Sequence, residues 1–315
     1  MVWGLQAFMG LLVPCPFAGR LKVDDQRTIG GPVGLKGIGL HTGEPVAMTL
    51  RPAPVGTGVL FRRIDLGENA FVEARLENVV DVHYATTIAK GGVEVRTIEH
   101  LMAAFFGLGV DNVIVELDNR EVPAVDGSAY PFVELILKAG LKPQPTPKTI
   151  LKVRRPIAVD LGHRSIRLIP SETLKVIYTM AFDHPLFGEQ TVALTLSEEG
   201  FIKEIAKART YGFLKDVEQL RRMGLAKGGS LENAIIIGEA GILNGQLRYR
   251  DELVRHKILD LLGDLYLLGK PLVGTIIAHG AGHLLHAKLV KAIQGQLELE
   301  DLAFTSSEPL EAASR

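Results

Sequence analysis

His100-Leu-Met-Ala-Ala-Phe-Phe-Gly-Leu-Gly109, followed by the run Val113-Ile-Val-Glu-Leu117, has a counterpart far along the chain. His256-Lys-Ile-Leu-Asp-Leu-Leu-Gly263 continues through Leu268-Gly269 and enters Leu272 to Ile277. Both segments set a histidine early in a helical pattern, close it at Leu-Gly and pass into a β-branched run. A glycine just past the last turn suits the left-handed C′ position of a helix. From His to Gly the two segments differ by about one helical turn, nine residues (100 to 109) against thirteen (256 to 269). Helix–glycine–strand units are common, so the echo by itself leaves chance open. Read as a repeat, it makes an α+β protein of two similar halves facing each other.

Working outward, Lys142-Pro-Gln-Pro-Thr-Pro-Lys148 reads as a linker, because proline removes backbone donors and biases its predecessor to extended geometry. It divides the chain into an appendage at 1–25, a first α+β domain at 26–142, the linker at 143–148 and a second α+β domain at 149–315. Before the linker, Pro45–Leu50, Gly58–Arg62, Ala85–Ala89 and Asn112–Leu117 read as strands, and Ile98–Leu108 and Tyr130–Ala139 as helices. After it, the strands are Leu151–Val159, Ser165–Ile169, Leu174–Phe182, Gln190–Leu196, Ala234–Gly238 and Gly274–Ala278. Phe201–Lys207, Leu253–Leu268 and His283–Gln294 read as helices.

The 315 residues are 47% hydrophobic and 23% charged, enough to build a core and too ordered in composition for a disordered chain. Lys plus Arg is 35 against 36 for Asp plus Glu, a net charge of −1, which argues against holding nucleic acid by bulk electrostatics. Cys15 is the single cysteine. No intrachain disulfide and no multi-thiolate zinc site can form, so a metal here must sit on His and carboxylate, in a reducing compartment. The apolar, uncharged stretch Met1 to Phe17 lacks the basic n-region of a secretory signal and is broken by Pro14 and Pro16. An appendage or upstream start, a peripheral membrane contact and a signal remain the three readings. No later stretch approaches the length of a membrane-spanning helix.

Nine histidines are present, and two patterns among them carry chemistry. His256 and Asp260, four apart on a helix, share one face at the pitch of two ligands for a single metal. Such a pair is common by chance. Glu99-His100 supplies a further ligand with an acidic neighbour, the juxtaposition in which a helix offers a ligand and a general base side by side. Two His and one carboxylate leave a fourth position on zinc for water, as catalytic sites do, and lower that water's pKa to about 7. Asp264 repeats the face of Asp260. Ala278-His279-Gly280-Ala281-Gly282-His283 reads as a glycine-containing turn into a helix, in which a histidine paired with a carboxylate could donate a proton; otherwise His279, His283 and His286 belong to a solvated turn. The glycines of Gly30 to Gly39 fit neither the dinucleotide fingerprint nor the P-loop, and with Gly228-Gly229-Ser230 they read as turns.

Thr97-Ile-Glu-His-Leu-Met102 and Val254-Arg-His-Lys-Ile-Leu-Asp-Leu-Leu-Gly-Asp264 together resemble the UDP-3-O-acyl-N-acetylglucosamine deacetylase family, zinc amidases of lipid A biosynthesis in Gram-negative bacteria. The similarity runs from about Gln26 to the C-terminal region. It takes in Gly37-Ile-Gly-Leu-His-Thr-Gly43, Leu50-Arg-Pro-Ala-Pro54, Gly109-Val-Asp-Asn112, Val125-Asp-Gly-Ser128 and Ala208-Arg-Thr-Tyr-Gly-Phe213. The apolar first twenty or so residues lie outside it. The resemblance implies two pseudo-repeated domains, each a sheet layered with helices, with the active site between them. It implies His100, His256 and Asp260 as Zn²⁺ ligands, Glu99 as general base, His283 as general acid oriented by Asp264, and Thr210 as an oxyanion hydroxyl. Lys257 and Arg164 fall where the family has basic groups near the nucleotide-sugar; Arg164 replaces a frequent Lys, which changes donor geometry. Tyr211 stands where an aromatic packs on the sugar. Leu214, Val217, Ala226, Gly229, Ser230, Ala234 and Ile236 fall in the segment that forms the acyl passage.

The implied reaction is hydrolysis of the N-acetyl group of UDP-3-O-(3-hydroxyacyl)-N-acetylglucosamine to the free amine and acetate, the committed step of lipid A synthesis. A cytoplasmic monomer with no nucleic-acid partner and no integral membrane span is expected. Two other readings compete. A non-haem iron oxygenase also uses two His and one carboxylate, but would need neither Glu99 beside a ligand nor a distant acid. A catalytically silent nucleotide-sugar-binding protein would not need Glu99 together with all three ligands.

Overall fold

The computed structural model describes residues 25–305; the apolar segment 1–17 lies outside the described residues. The first five-stranded sheet is built from β1 (Val33–Ile38), β2 (Pro45–Pro52), β3 (Val59–Arg63), β4 (Phe71–Glu73) and β5 (Val113–Leu117). Its order is β1-β2-β5-β3-β4. The β3–β5 pair is parallel and the others are antiparallel. A second sheet holds β6 (Ile157–Leu161), β7 (Arg164–Ile169), β8 (Leu174–Ala181), β9 (Glu189–Thr195) and β10 (Leu272–His279) in the order β6-β7-β10-β8-β9. Among these five, too, one pair, β8–β10, is parallel and the rest antiparallel, and Leu151–Lys152 adds a short sixth strand parallel to β10. The two sheets therefore share one topology, with the last strand in sequence inserted at the centre. The echo read from the sequence is a structural repeat.

Six helices complete the fold: α1 (Glu99–Leu108), α2 (Tyr130–Ala139), α3 (Glu198–Glu204), α4 (Leu214–Arg222), α5 (Glu252–Leu265) and α6 (His283–Thr305). In each half a helix precedes the central strand and another follows it: α1 and α2 flank β5, and α5 and α6 flank β10. Gly109 and Gly269 end the leading helical segments with positive φ of 61° and 70°, the left-handed exit their position suggested. The alternating apolar faces of β2, β3 and β5 bury Met48, Leu50, Phe61 and Val115, and the facing side of α1 buries Leu101, Met102, Phe105 and Leu108. In the second half Ile166, Val176, Tyr178 and Ile276 play the same part.

α1 and α5 lie against each other, and the contact is made possible by Gly263, whose absent side chain leaves room for the Glu99 carbonyl. Any Cβ there would collide with that carbonyl. The repeat thus brings its two histidine-bearing helices face to face.

Several expectations shift. The proline segment is no free linker: Leu141–Pro147 is a strand paired antiparallel with Asp25–Ile29. Prolines spaced two apart put every missing donor on one edge, so the other edge can still pair. The strand expected over Leu151–Val159 is broken into Leu151–Lys152 and β6, with the interruption at Arg154-Arg155-Pro156. The helix expected at Phe201–Lys207 begins earlier, with Ser197 accepting from the Gly200 amide as its N-cap. The helix expected to reach Leu268 ends at Leu265 and tightens into a 3₁₀ turn. No helix among the described residues is long and apolar enough to cross a membrane.

Candidate metal centre

α1 supplies Glu99 and His100, and α5 supplies His256, Asp260 and Asp264, all buried. Thr97, just before α1, is β-branched and yet takes φ of 56°. That strained conformation is held by its hydroxyl, which donates to buried Glu121 (2.8 Å). The chain is turned there so that Glu99 and His100 enter the helix facing α5.

Asp260 Oδ1 lies 3.5 Å from His100 Nε2 and 3.4 Å from His256 Nε2. It meets no hydrogen-bond partner among the described residues, although it is fully buried. Its other oxygen accepts from Lys257 Nζ at 2.8 Å. His256 Nδ1–H donates to the Ala208 carbonyl (3.1 Å), which leaves the Nε2 lone pair facing His100 and Asp260. Burial, opposed by Asp260, pushes the His256 pKa down to about 3, so the ring stays neutral, as a metal ligand must be. Burial works against charge on Asp260 as well, yet His256 and Lys257 hold its carboxyl well below the usual range. The Nε2 atoms of His100 and His256 and one ionised, unpartnered oxygen of Asp260 converge on one point. The donor set fits a divalent cation, and hard–borderline N/O ligation without thiolate suits zinc chemistry.

Glu99 stands beside this point. Its Oε2 accepts from the Thr86 amide (3.0 Å), and burial raises its pKa against the attraction of His283 and His100. His283, at the first turn of α6, is not in a solvated turn but buried, and so is His286; only His279 is exposed. The correction has a simple cause: α6 turns its N-terminal face into the cleft, where Asp264 awaits it. His283 Nδ1–H and His286 Nδ1–H both donate to Asp264 Oδ2 at 2.8 Å, and Thr86 Oγ1–H donates to Oδ1 at 2.6 Å. Burial opposes the His283 charge, but Asp264 raises its pKa to about 9, while His283 and His286 bring Asp264 down to about 2. His283 Nε2 points back to Asp260 Oδ2 at 3.8 Å. A buried acid and a buried base thus lie beside the candidate ligand atoms, close enough for each to shift the other's pKa.

Thr210 lines both a small pocket beside His100 and a larger cavity of about 580 Å³. Tyr211, Leu214, Val217, Ala226, Gly229, Ser230, Ala234 and Ile236 all lie on the wall of that cavity, so the whole segment singled out in the sequence converges. Lys257 Nζ sits 5.6 Å from the Tyr211 ring centroid, close to the centre. Arg164, at the start of β7, is exposed and packs its stem near Gly280, with no contact to the ligand set. Sequence reasoning missed Thr86, which ties Glu99 to Asp264, and the pairing of His286 with Asp264 and the Tyr178 hydroxyl (3.0 Å). A threonine in the short turn between the strands Val79–Asp81 and Thr87–Lys90, thirteen positions before Glu99, carries no local signal. His286 had one, its i+3 position to His283 on a helix.

A buried pair of imidazoles with one carboxylate, flanked by a carboxylate and a charged imidazole, defines a metal-dependent hydrolase. Comparison with known proteins makes this specific. Residues 26–295 match the family model described as UDP-3-O-acyl N-acetylglycosamine deacetylase, and the chain belongs to that family. It is 48% identical over 270 residues to the UDP-3-O-acyl-N-acetylglucosamine deacetylase of Myxococcus xanthus, covering 85% of this chain and 86% of that one. The enzyme of the same name from Acidithiobacillus ferrooxidans is 48% identical over 271 residues, 85% and 89% of the two chains. That from Pseudomonas entomophila is 44% identical over 282 residues, 89% and 93%.

Proposed function

We infer that the chain is a UDP-3-O-acyl-N-acetylglucosamine deacetylase of lipid A biosynthesis, releasing acetate from UDP-3-O-(3-hydroxyacyl)-N-acetylglucosamine and leaving the free amine. The observation that carries this reading is the unpartnered Asp260 oxygen beside two histidines, with buried Glu99 and His283 next to the same cluster. His100, His256 and Asp260 would hold a Zn²⁺ ion, which when bound would supply Lewis acidity toward water and the acetamide carbonyl. Glu99, ionised, takes the proton of the attacking water. Its burial raises its basicity, which suits that task near neutral pH. His283, held as imidazolium by Asp264, donates to the departing nitrogen, and Thr210 with His283 faces the developing oxyanion. Asp264 and Thr86 fix the His283 ring; they orient rather than react.

Lys257 and Tyr211 border the sugar, and Arg164 offers its guanidinium to the nucleotide from the rim. The cavity behind Thr210 takes the acyl chain: its wall is chiefly apolar, from Leu214 to Leu243, as an alkyl chain requires. Every candidate ligand and both proton-transfer groups come from one chain, so the site needs no residue of a partner subunit; the nucleotide-sugar substrate and the lack of paired cysteines support a cytoplasmic site of action. The test is acetate release from UDP-3-O-acyl-N-acetylglucosamine by purified protein. Turnover abolished by a chelator and restored by zinc is expected; turnover indifferent to the chelator refutes the metal role.

A further inference from the structure

His41 lies outside the ligand set and the acid–base pair, yet its position is built with care. Its backbone amide donates to Glu121 Oε1 (2.8 Å), the same buried carboxylate that accepts from the Thr97 hydroxyl and from the Thr42 amide (2.7 Å) and hydroxyl (2.6 Å). Glu121 therefore fixes His41 to the turn that launches Glu99 and His100. On the other side, the Ala226 amide donates to His41 Nδ1 (3.3 Å), and the His41 carbonyl accepts from the Lys227 amide (3.3 Å). Ala226 itself is held at φ of 51°, a conformation that an L-residue rarely takes, so the loop is bent to reach this ring.

The accepting role of Nδ1 decides the tautomer. A neutral imidazole with a lone pair at Nδ1 carries its proton at Nε2. Burial favours that neutral ring against the attraction of Glu121, with Arg96, His100 and His283 acting in the same direction as burial. His41 Nε2 is buried and meets no partner among the described residues, an arrangement native interiors avoid unless something else is to be bound. The ring is part of the wall of the 580 Å³ cavity, which Leu40, Tyr84 and Thr210 also line.

We propose that His41 is a positioning residue whose Nε2–H donates to an oxygen at the head of the substrate's acyl chain. Apart from its polar head, an acyl chain has no acceptor to offer; the ester carbonyl and the 3-hydroxyl are the two oxygens near enough to the sugar to reach a donor at the inner end of the passage. The bond would fix the chain's entry and, through it, the acetamide against the ligands. This rests on the reading of the cavity as the acyl passage.

Two substitutions separate the donor from the loop clamp. His41→Asn keeps an acceptor near Nδ1 for the Ala226 amide and removes the Nε2 donor; His41→Gln keeps a donor near Nε2 and gives up the acceptor. The readout is the ratio of kcat/KM for UDP-3-O-(3-hydroxyacyl)-N-acetylglucosamine to that for UDP-N-acetylglucosamine, which lacks the acyl chain. We expect His41→Asn to lower the ratio by about 10–100-fold, the worth of a lost hydrogen bond in a buried site, chiefly through KM, and His41→Gln to restore most of it. An analogue without the 3-hydroxyl identifies the acceptor. If the Asn variant loses nothing further on that analogue, the hydroxyl is bound; if it loses as much again, the ester carbonyl is. An unchanged ratio in His41→Asn, or a Gln variant no better than Asn, overturns the proposal. Should either variant fail to fold, the His41 Nε2–H signal in ¹⁵N NMR of the wild-type protein must shift when UDP-3-O-acyl-glucosamine is added, and a static signal counts against it. Wild-type protein that releases acetate from neither substrate would instead sink the reading of the site itself.

Discussion

Glu99 and His100 are neighbours in sequence with opposite assignments, and the difference can be measured. His256→Ala or Asp260→Ala removes one of three ligands and is expected to lose tightly held zinc, read by metal analysis of dialysed protein. Glu99→Gln keeps the metal and lowers kcat by about 10²–10⁴, the usual worth of a general base. Equal zinc loss in all three would show Glu99 to be a ligand. The pH profile is expected to be bell-shaped. Activity falls on the acid side as the raised Glu99 carboxylate is protonated, and on the alkaline side as His283, near 9, loses its proton. A cation on the three ligands draws both limbs toward lower pH. Asp264→Asn removes the charge that raises His283 and must move the alkaline limb down; a limb that stays put assigns it to another group. His256 with Asp260 and Glu99 with His100 were legible from helical spacing and adjacency, whereas His283 paired with Asp264 came from the family resemblance, since the residues alone left a solvated turn open. Thr86 and His41 were not legible. Their roles come from hydrogen bonds to residues more than ten positions away, which no local pattern records.

At the scale of elements, the crossing of α1 over α5 depends on Gly263. Gly263→Ala forces the Glu99 carbonyl to retreat, carrying with it the base and the first ligand. Overpacking of this kind costs about 1–3 kcal/mol, so a lowered urea midpoint together with weakened zinc retention is expected. Unaltered zinc affinity would mean that α1 slides without disturbing His100. In the passage, Gly229 sits next to the Ala226 carbonyl on the cavity wall, and Gly229→Leu is expected to block long acyl chains while zinc stays bound. Full activity on a long-chain substrate would place the chain elsewhere. The long periodic helices and the central strands were readable. The short strands were not: Val33–Ile38 and Tyr211–Phe213 carry glycine and make sense only through their partners. α4 was missed for a related reason. Residues Leu214–Arg222 bury nothing fully, so their apolar positions face the cavity and never formed a core pattern.

Over the whole molecule, the three candidate ligands come from both halves, His100 from one and His256 with Asp260 from the other, so a metal bound there would couple to overall stability. Free zinc at a hundred times its Kd is expected to stabilise the fold by about 2.7 kcal/mol, seen as a higher melting temperature than in chelator. Without metal, acidification has a defined sign. His256 titrates near 3 when folded and near 6.5 when unfolded, so the unfolded chain binds its proton first and stability falls as pH drops below about 6.5. Asp264, depressed to about 2, adds stability above its unfolded pKa near 3.9 that is lost as pH falls toward 2. A melting temperature flat between pH 7 and 4 would contradict the first, and one flat between pH 4 and 2 the second. The shared strand order has a further consequence, for synthesis. In each sheet the central strand is made last. The first half waits from Glu73 to Val113 for its centre, but the second waits from Thr195 to Leu272, roughly 4–15 s at ordinary elongation rates. Throughout that interval β7 and β8 have emerged with their inner edges unpaired, each a template for any other strand that comes near. A ribosome stalled before Leu272 would release a chain whose first half can close and whose second half can only aggregate.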